Sequence, residues 1–256
     1  MDNKNVVGRF VWHDLMTNDV LRAMDFYSEL LGWEYQIEHS SDFVWKPGEG
    51  DYPLIIANSE AHGGFIEIDD DIASHWVAYV EVKDVDSVTD NAVKLGATID
   101  RVPFDVPGVG QSAVIRDPQG AVICPFVPSH KLPAPSGTFL WDELITDNAE
   151  SAKIFYSELF GWLAKEGNLH QLNDYTVFKS TDDTQAVGGA MNHSFRQGRA
   201  AAWVPYLATD DVDETVARAK TLGAQAQLEV IEVPDEGCFA ILKDPTGAEF
   251  ALFKPI

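Results

Sequence analysis

The chain repeats itself, and that limits the folds open to it more than any other feature. Gly8-Arg9-Phe10-Val11-Trp12-His13-Asp14-Leu15-Met16-Thr17 returns as Gly137-Thr138-Phe139-Leu140-Trp141-Asp142-Glu143-Leu144-Ile145-Thr146, at a constant offset of 129. The same offset carries Phe26-Tyr27-Ser28-Glu29-Leu30-Leu31-Gly32-Trp33 onto Phe155-Tyr156-Ser157-Glu158-Leu159-Phe160-Gly161-Trp162, with about half of the gap-free run identical. A second block follows at offset 127: Trp76-Val77-Ala78-Tyr79 on Trp203-Val204-Pro205-Tyr206, and Asp117-Pro118-Gln119-Gly120 on Asp244-Pro245-Thr246-Gly247. Two copies of one domain are expected, with a net two-residue deletion in a loop of the second copy between Gly161 and Trp203.

A finer period lies inside each copy. Trp12 precedes Gly32 by 20 residues, and Trp76–Gly96, Trp141–Gly161 and Trp203–Gly223 keep that spacing. Each interval reads as a strand, a short turn and a helix closed by glycine. Asp19 is a candidate N-cap, with Val20, Ala23, Phe26, Tyr27, Leu30 and Leu31 at helical spacing after it. Short apolar runs follow the helices: Glu34 to Ile37, Phe43 to Lys46, Leu54 to Ala57, Ala113 to Ile115 and Val122 to Phe126. Asp-Pro-x-Gly suits a type I turn between the last two strands. The reading is α+β: four β-α-β-β-β modules paired into two domains, residues 1–128 and 138–256, joined by a proline-rich linker at 129–137.

The charge balance removes whole classes of partner. With 41 acidic against 18 basic residues, the formal charge is −23, so no basic surface exists for a nucleic-acid backbone or an anionic membrane. No run of about 18 apolar residues is present to span a bilayer. The opening Met1-Asp2-Asn3-Lys4-Asn5 is polar and unlike a signal peptide, and the two cysteines, Cys124 and Cys238, form no metal or redox motif. A cytoplasmic chain with reduced thiols is expected.

The helix ending in Phe-Tyr-x-x-x-Leu/Phe-Gly, the paired modules and the Asp-Pro-x-Gly hairpin together resemble the glyoxalase/bleomycin-resistance/dioxygenase (vicinal-oxygen-chelate) superfamily. The Trp-x-Asp/Glu-Leu-x-Thr opening resembles its tandem-domain, glyoxalase-like or hydroxylase-like branch. The resemblance covers essentially the whole chain and implies a curled sheet around a ligand cleft in each domain. It also implies a divalent metal, held by His, Gln or Glu on the first strand of each module and by Glu on each last strand. Those positions fall on Trp12 and Trp141, near Val77 and Val204, and on Cys124 and Ala251, with Glu67 the one ligating residue at a first-module end. Tryptophan, valine and alanine donate to no metal, so no cofactor is expected, and a divalent metal only at a relocated site.

Strand alternation puts Trp12 with Asp14, and Trp141 with Glu143, on one face, and His13 on the other. Tyr79, Glu81 and Cys124 can share the first cleft, and Tyr206 the second. An aromatic wall beside one carboxylate suits a small planar or sugar-like ligand, and the carboxylates Asp14 and Glu143 are candidate acid–base groups. Equally, the four strand tryptophans can be core. His39, His62, His130, His170 and His193 read as solvated, and His62-Gly63-Gly64 and Val187-Gly188-Gly189 as strand ends or bulges. Three functions stay open: a metal-free small-molecule binding protein, a divalent-metal enzyme of glyoxalase, isomerase or dioxygenase type, and a metal-free lyase or isomerase. A monomer pairing its own domains is expected, with a homodimer as the alternative.

Overall fold

The computed structural model describes residues 7–42, 47–129, 135–167, 175–181, 185–193 and 198–256. The first module is β1 (Phe10–Thr17), α1 (Val20–Leu31), β2 (Glu34–Asp42), β3 (Pro47–Ala57) and β4 (Glu60–Glu67). The second is β5 (His75–Glu81), α2 (Val85–Lys94), β6 (Thr98–Val106), β7 (Gly110–Arg116) and β8 (Val122–Pro128). The second copy repeats the series with β9 (Phe139–Thr146), α3 (Ala149–Phe160), β10 (Leu163–Glu166), β11 (Thr176–Lys179) and β12 (Ala186–Asn192). It closes with β13 (Ala202–Ala208), α4 (Val212–Thr221), β14 (Gln225–Val233), β15 (Gly237–Lys243) and β16 (Glu249–Pro255). The expected run Phe43 to Lys46 lies outside the described residues, and β6 had no counterpart among the expected strands.

The strands form two eight-stranded sheets, ordered β2-β3-β4-β1-β5-β8-β7-β6 and β10-β11-β12-β9-β13-β16-β15-β14. This is the α+β architecture expected of four β-α-β-β-β modules. Parallel pairing of β1 with β4 and of β5 with β8 follows from the intervening helices, which return the chain in the same direction.

Local chemistry places the helix ends. Asp19 Oδ1 accepts from the Arg22 amide, Asn148 Oδ1 from Ser151, Asp84 Oδ1 from Ser87 and Asp211 Oδ1 from Glu214, so each helix opens on a side-chain cap. Gly32 and Gly161 close α1 and α3 in the left-handed region, both at φ 71°. Both Asp-Pro-x-Gly segments make the expected turns, with the Gly120 amide donating to Asp117 O and the Gly247 amide to Asp244 O, each at 3.0 Å.

The compact units do not follow the repeats. One comprises 1–12, 78–134 and 141–203; the other comprises 13–77, 135–140 and 204–256. In the second unit Phe26, Tyr27 and Trp33 of the first module and Trp76 at the start of the second share a core with Val212, Val216, Phe250 and Leu252 of the fourth. In the first, Val80, Val85, Ile115 and Ile123 of the second module share one with Phe155, Tyr156 and Trp162 of the third and Trp203 at the start of the fourth.

Two matching buried relays run through these cores. Trp76 Nε1 donates to Tyr27 Oη at 3.2 Å, and Tyr27 donates to Asp244 Oδ2 at 3.0 Å. Trp203 Nε1 donates to Tyr156 Oη at 2.9 Å, and Tyr156 to Asp117 Oδ2, also at 2.9 Å. Burial pushes both tyrosines well above the usual phenol value, and both aspartates above the usual carboxylate value. Trp76 and Trp203 are therefore core residues.

Candidate functional site

Trp12 and Trp141, the other two strand tryptophans, are only half-buried. The residues around the second of them make the most complete polar constellation in the first unit. Trp141 and Glu143 sit two apart on β9, so both side chains leave the same face. Trp141 Nε1 donates to Glu143 Oε2 at 3.0 Å, and Tyr175 Oη donates to the same oxygen at 2.8 Å. Glu143 is 2% exposed, and its other oxygen, Oε1, is buried with no hydrogen-bond partner. Desolvation, partly offset by the Tyr175 and Trp141 hydrogen bonds, pushes this carboxyl up to about 8.

The second unit holds a matching acid and tyrosine. Asp14, 1% exposed on β1, accepts a hydrogen bond from Tyr52 Oη at 2.5 Å. Asp14 pairs in register with Gly64, and Glu143 with Gly189. Each glycine makes room for a tyrosine: a Cβ on Gly64 would stand 2.1 Å from Tyr52 Cζ, and one on Gly189 would stand 2.3 Å from Tyr175 Oη. The preceding glycine serves β1 itself, since a Cβ on Gly63 would stand 1.8 Å from the His13 carbonyl oxygen.

Tyr52 and Tyr175 escaped the sequence reading. Their offset is 123 and that of their glycines is 125, neither of which matches the 129 or 127 of the conspicuous blocks. The available signal was a tyrosine followed by an apolar strand and then Gly-Gly in both copies. Those glycine pairs are not strand ends but lie inside β4 and β12. Register shifts beside them leave His62 and Val187 as the extra residues, so the expected bulges are present.

Two other expectations about polar residues need correction. His62 is 1% exposed, with Nε2 3.0 Å from Ala57 O and 3.2 Å from Thr138 Oγ1, and burial lowers its proton affinity. It is thus a core histidine, placed there by the strand that the glycines allow. His193 is half-buried, whereas His39 is exposed on β2; His130 and His170 lie outside the described residues. Glu67 is exposed at the end of β4. His13, turned away from Asp14 by alternation, stacks on Phe139 with ring centroids 4.1 Å apart.

The remaining candidates are buried aromatic and small groups. Tyr79 lies beside Cys124 in the parallel β5–β8 register and meets Phe126 edge-on, with centroids 6.1 Å apart. Tyr206 occupies the equivalent place beside Ala251 and packs on Phe239 and Phe253. Cys124 is fully buried. Glu81, the last residue of β5, is half-buried, and desolvation raises its carboxyl. Arg101, also absent from the expected set, stands 3.7 Å over the Phe104 ring with its Nη1 buried and unpartnered. Leu228 takes its place in the other copy at offset 127, so the copies differ in charge here.

The chain belongs to the glyoxalase-like branch of the vicinal-oxygen-chelate superfamily: the sequence profile of the Glyoxalase-like domain matches it twice, over residues 11–126 and 141–253. It is 32% identical over 252 residues to the Mycobacterium tuberculosis protein "Putative glyoxylase CFP32", covering 95% of this chain and 94% of that one. It is 27% identical over 270 residues to the anthracycline biosynthesis protein DnrV of Streptomyces peucetius, covering 96% and 92%. Among solved structures, the Mn(II)-bound glyoxalase from Novosphingobium aromaticivorans superposes with a TM-score of 0.63 at 13% identity, covering 98% of this chain and 84% of that one. The 2,3-dioxygenase LapB from Pseudomonas sp. KL28 does so with 0.62 at 15%, covering 98% and 94%. At such identities the likeness is one of fold.

The superfamily's metal does not fit the residues at its customary positions. Trp12, Trp141, Val77, Val204 and Ala251 offer no metal-binding atom, Glu67 faces solvent, and the Cys124 thiol is the one ligating group left at these positions. Among the described residues, no three His, Cys, Asp or Glu side chains come together as a metal cluster would require. Among them, too, no helix is long and apolar enough to cross a membrane.

Proposed function

We propose that the chain binds a small aromatic organic molecule on the face carrying Trp141, Glu143 and Tyr175, without the metal usual in its superfamily. The observation that carries this reading is the buried, unpartnered Oε1 of Glu143. A buried carboxyl oxygen lacking a hydrogen bond is costly by about 1–3 kcal/mol, and a ligand that supplies the missing partner recovers that energy. Trp141 beside it is half-buried and offers an aromatic surface for stacking. Relatives named for a glyoxylase and for anthracycline biosynthesis support small organic molecules as the ligand class. Asp14 and Tyr52 offer a shorter version of the same grouping, so two sites per chain are proposed. The chain acts as a monomer, with no nucleic-acid or membrane partner.

A second reading has one specific observation in its favour. A carboxyl pushed up to about 8 titrates near working pH, as a general acid–base group should, so Glu143 would serve a metal-free lyase or isomerase.

Elemental analysis tests the metal-free part. Tag-free protein is purified without chelator, then reloaded with zinc, nickel, manganese or iron(II). Less than stoichiometric retention is expected; about one tightly held metal per chain would overturn the reading. For the ligand, Trp141→Ala is expected to weaken binding by about 1–3 kcal/mol in a fluorescence or calorimetric screen. An unchanged affinity would move the site elsewhere.

A further inference from the structure

The two oxygens of Glu143 are differently placed, and the difference specifies what can lie against them. Both donors within reach, Trp141 Nε1 and Tyr175 Oη, point at Oε2. That oxygen is satisfied as an acceptor. Oε1 receives nothing, yet it is buried, and an ionised carboxylate there would leave charge on an oxygen with no donor. A neutral carboxylic acid resolves the asymmetry: carbonyl oxygen at Oε2, hydroxyl at Oε1.

Among the described residues, no cation acts on Glu143. The charge acting on Glu143 besides its hydrogen-bond donors is the neighbouring Asp142, which disfavours a second negative charge. β12 brings only Ala186, Val187, Gly188, Gly189, Ala190, Met191 and Asn192, none of which titrates. On β11, Lys179 is opposite Ala186, three positions along β12 from Gly189. β13 follows β9 in the strand order and has Tyr206 as its one titratable residue.

Building on the ligand-binding reading above, we infer that Glu143 is held as a neutral acid whose Oε1 hydroxyl donates to a carbonyl oxygen of an uncharged aromatic ketone. Carboxylates are disfavoured in the same place, because a ligand anion would meet a buried acid with no cation among the described residues to balance it. Gly189 is part of the device. Its missing Cβ leaves the space in which Tyr175 Oη reaches Oε2, and a Cβ there would also stand 2.9 Å from Oε1.

The test compares two probes of nearly equal shape, 2-acetylnaphthalene and 2-naphthoate, by equilibrium dialysis at about pH 6 and about pH 10, either side of the Glu143 titration. The wild type is expected to bind the ketone in preference to the anion, and to lose about tenfold or more of its ketone affinity at the higher pH. Glu143→Gln keeps a donor at the Oε1 position and an acceptor at Oε2, so it should bind the ketone equally at both pH values. Glu143→Leu should not bind it. A second readout needs no ligand. The infrared carbonyl band of a protonated carboxyl, taken as the difference between wild type and Glu143→Gln so that Asp117 and Asp244 cancel, should be present at about pH 6 and lost at about pH 10.

Ketone binding indifferent to pH in the wild type, or naphthoate bound as tightly as the ketone, overturns this inference while leaving a ligand site in place. An infrared band showing Glu143 ionised at about pH 6 overturns it whatever binds. A protonated Glu143 with neither probe bound overturns the ligand class assigned here.

Discussion

Tyr156 donates its phenolic hydrogen to Asp117 at 2.9 Å, joining the Phe-Tyr motif of the third module to the Asp-Pro-x-Gly motif of the second. Tyr27 and Asp244 do the same for the first and fourth modules at 3.0 Å. Removing either hydroxyl leaves a buried carboxylate oxygen and a tryptophan Nε1 without their partner. Tyr156→Phe and Tyr27→Phe are each expected to lower unfolding free energy by about 1–3 kcal/mol, read as a drop in urea midpoint. No loss in either variant would mean that water replaces the hydroxyl.

The titration of Glu143 has a definite sign. Its folded value is raised from 4.5 to about 8, so its contribution is present in full below about 4.5 and lost as pH rises through about 8. Asp117 and Asp244, also raised by burial, act in the same direction, whereas His62, lowered by burial, contributes in full above its ordinary value and loses that contribution as pH falls through its lowered one. The stability of wild type relative to Glu143→Gln should therefore fall between about pH 4.5 and 8 by up to about 5 kcal/mol, then level off. Denaturant curves of both proteins across that range decide it; parallel profiles would place the Glu143 carboxyl at its ordinary value.

Paired glycines of the same strand should differ in tolerance. A Cβ at Gly64 meets the Tyr52 ring, which can swing aside, whereas one at Gly63 meets the backbone of His13, which cannot. Gly64→Ala should cost about 1–3 kcal/mol and break the Tyr52–Asp14 hydrogen bond. Gly63→Ala should cost more and reduce soluble yield. Thermal melts of the two variants order them, and the reverse order would refute the close approach of β4 to β1.

The two hairpin glycines make a matched pair. Gly120 at φ 96° and Gly247 at φ 102° pay a similar backbone penalty on becoming alanine, about 1 kcal/mol. Only at Gly120 does the new Cβ meet a neighbour, Ala200 Cβ at 2.8 Å; at Gly247 nothing lies within 4 Å. Gly120→Ala is thus expected to be the more destabilising of the two, and equal melting temperatures would contradict that.

Much of this was legible in the sequence because local rules wrote it twice. Asp19 as a cap, Gly32 as a stop and Asp-Pro-x-Gly as a turn each depend on a few adjacent residues, and duplication made them visible. Trp141 with Glu143 was legible for the same reason, since alternation along one strand needs no tertiary information. Tyr175 was not: it reaches Glu143 from just before β11, through a gap left by a glycine of β12. His62 was misread because a histidine beside two glycines resembles a loop until the strand pairing is known.

The mixed cores bear on how such a chain could have arisen. Each half presents its α1 or α3 surface, with its phenylalanine and tyrosine and the tryptophan that follows the helix, to the closing strands and helix of the other half. A single ancestral half would have left that surface bare unless a second molecule covered it. Fusion of two such genes turns an encounter between molecules into one within a chain, at an effective concentration set by the tether alone. Thereafter each half could vary separately, as the matched Asp14 and longer Glu143 now differ, while neither could be discarded.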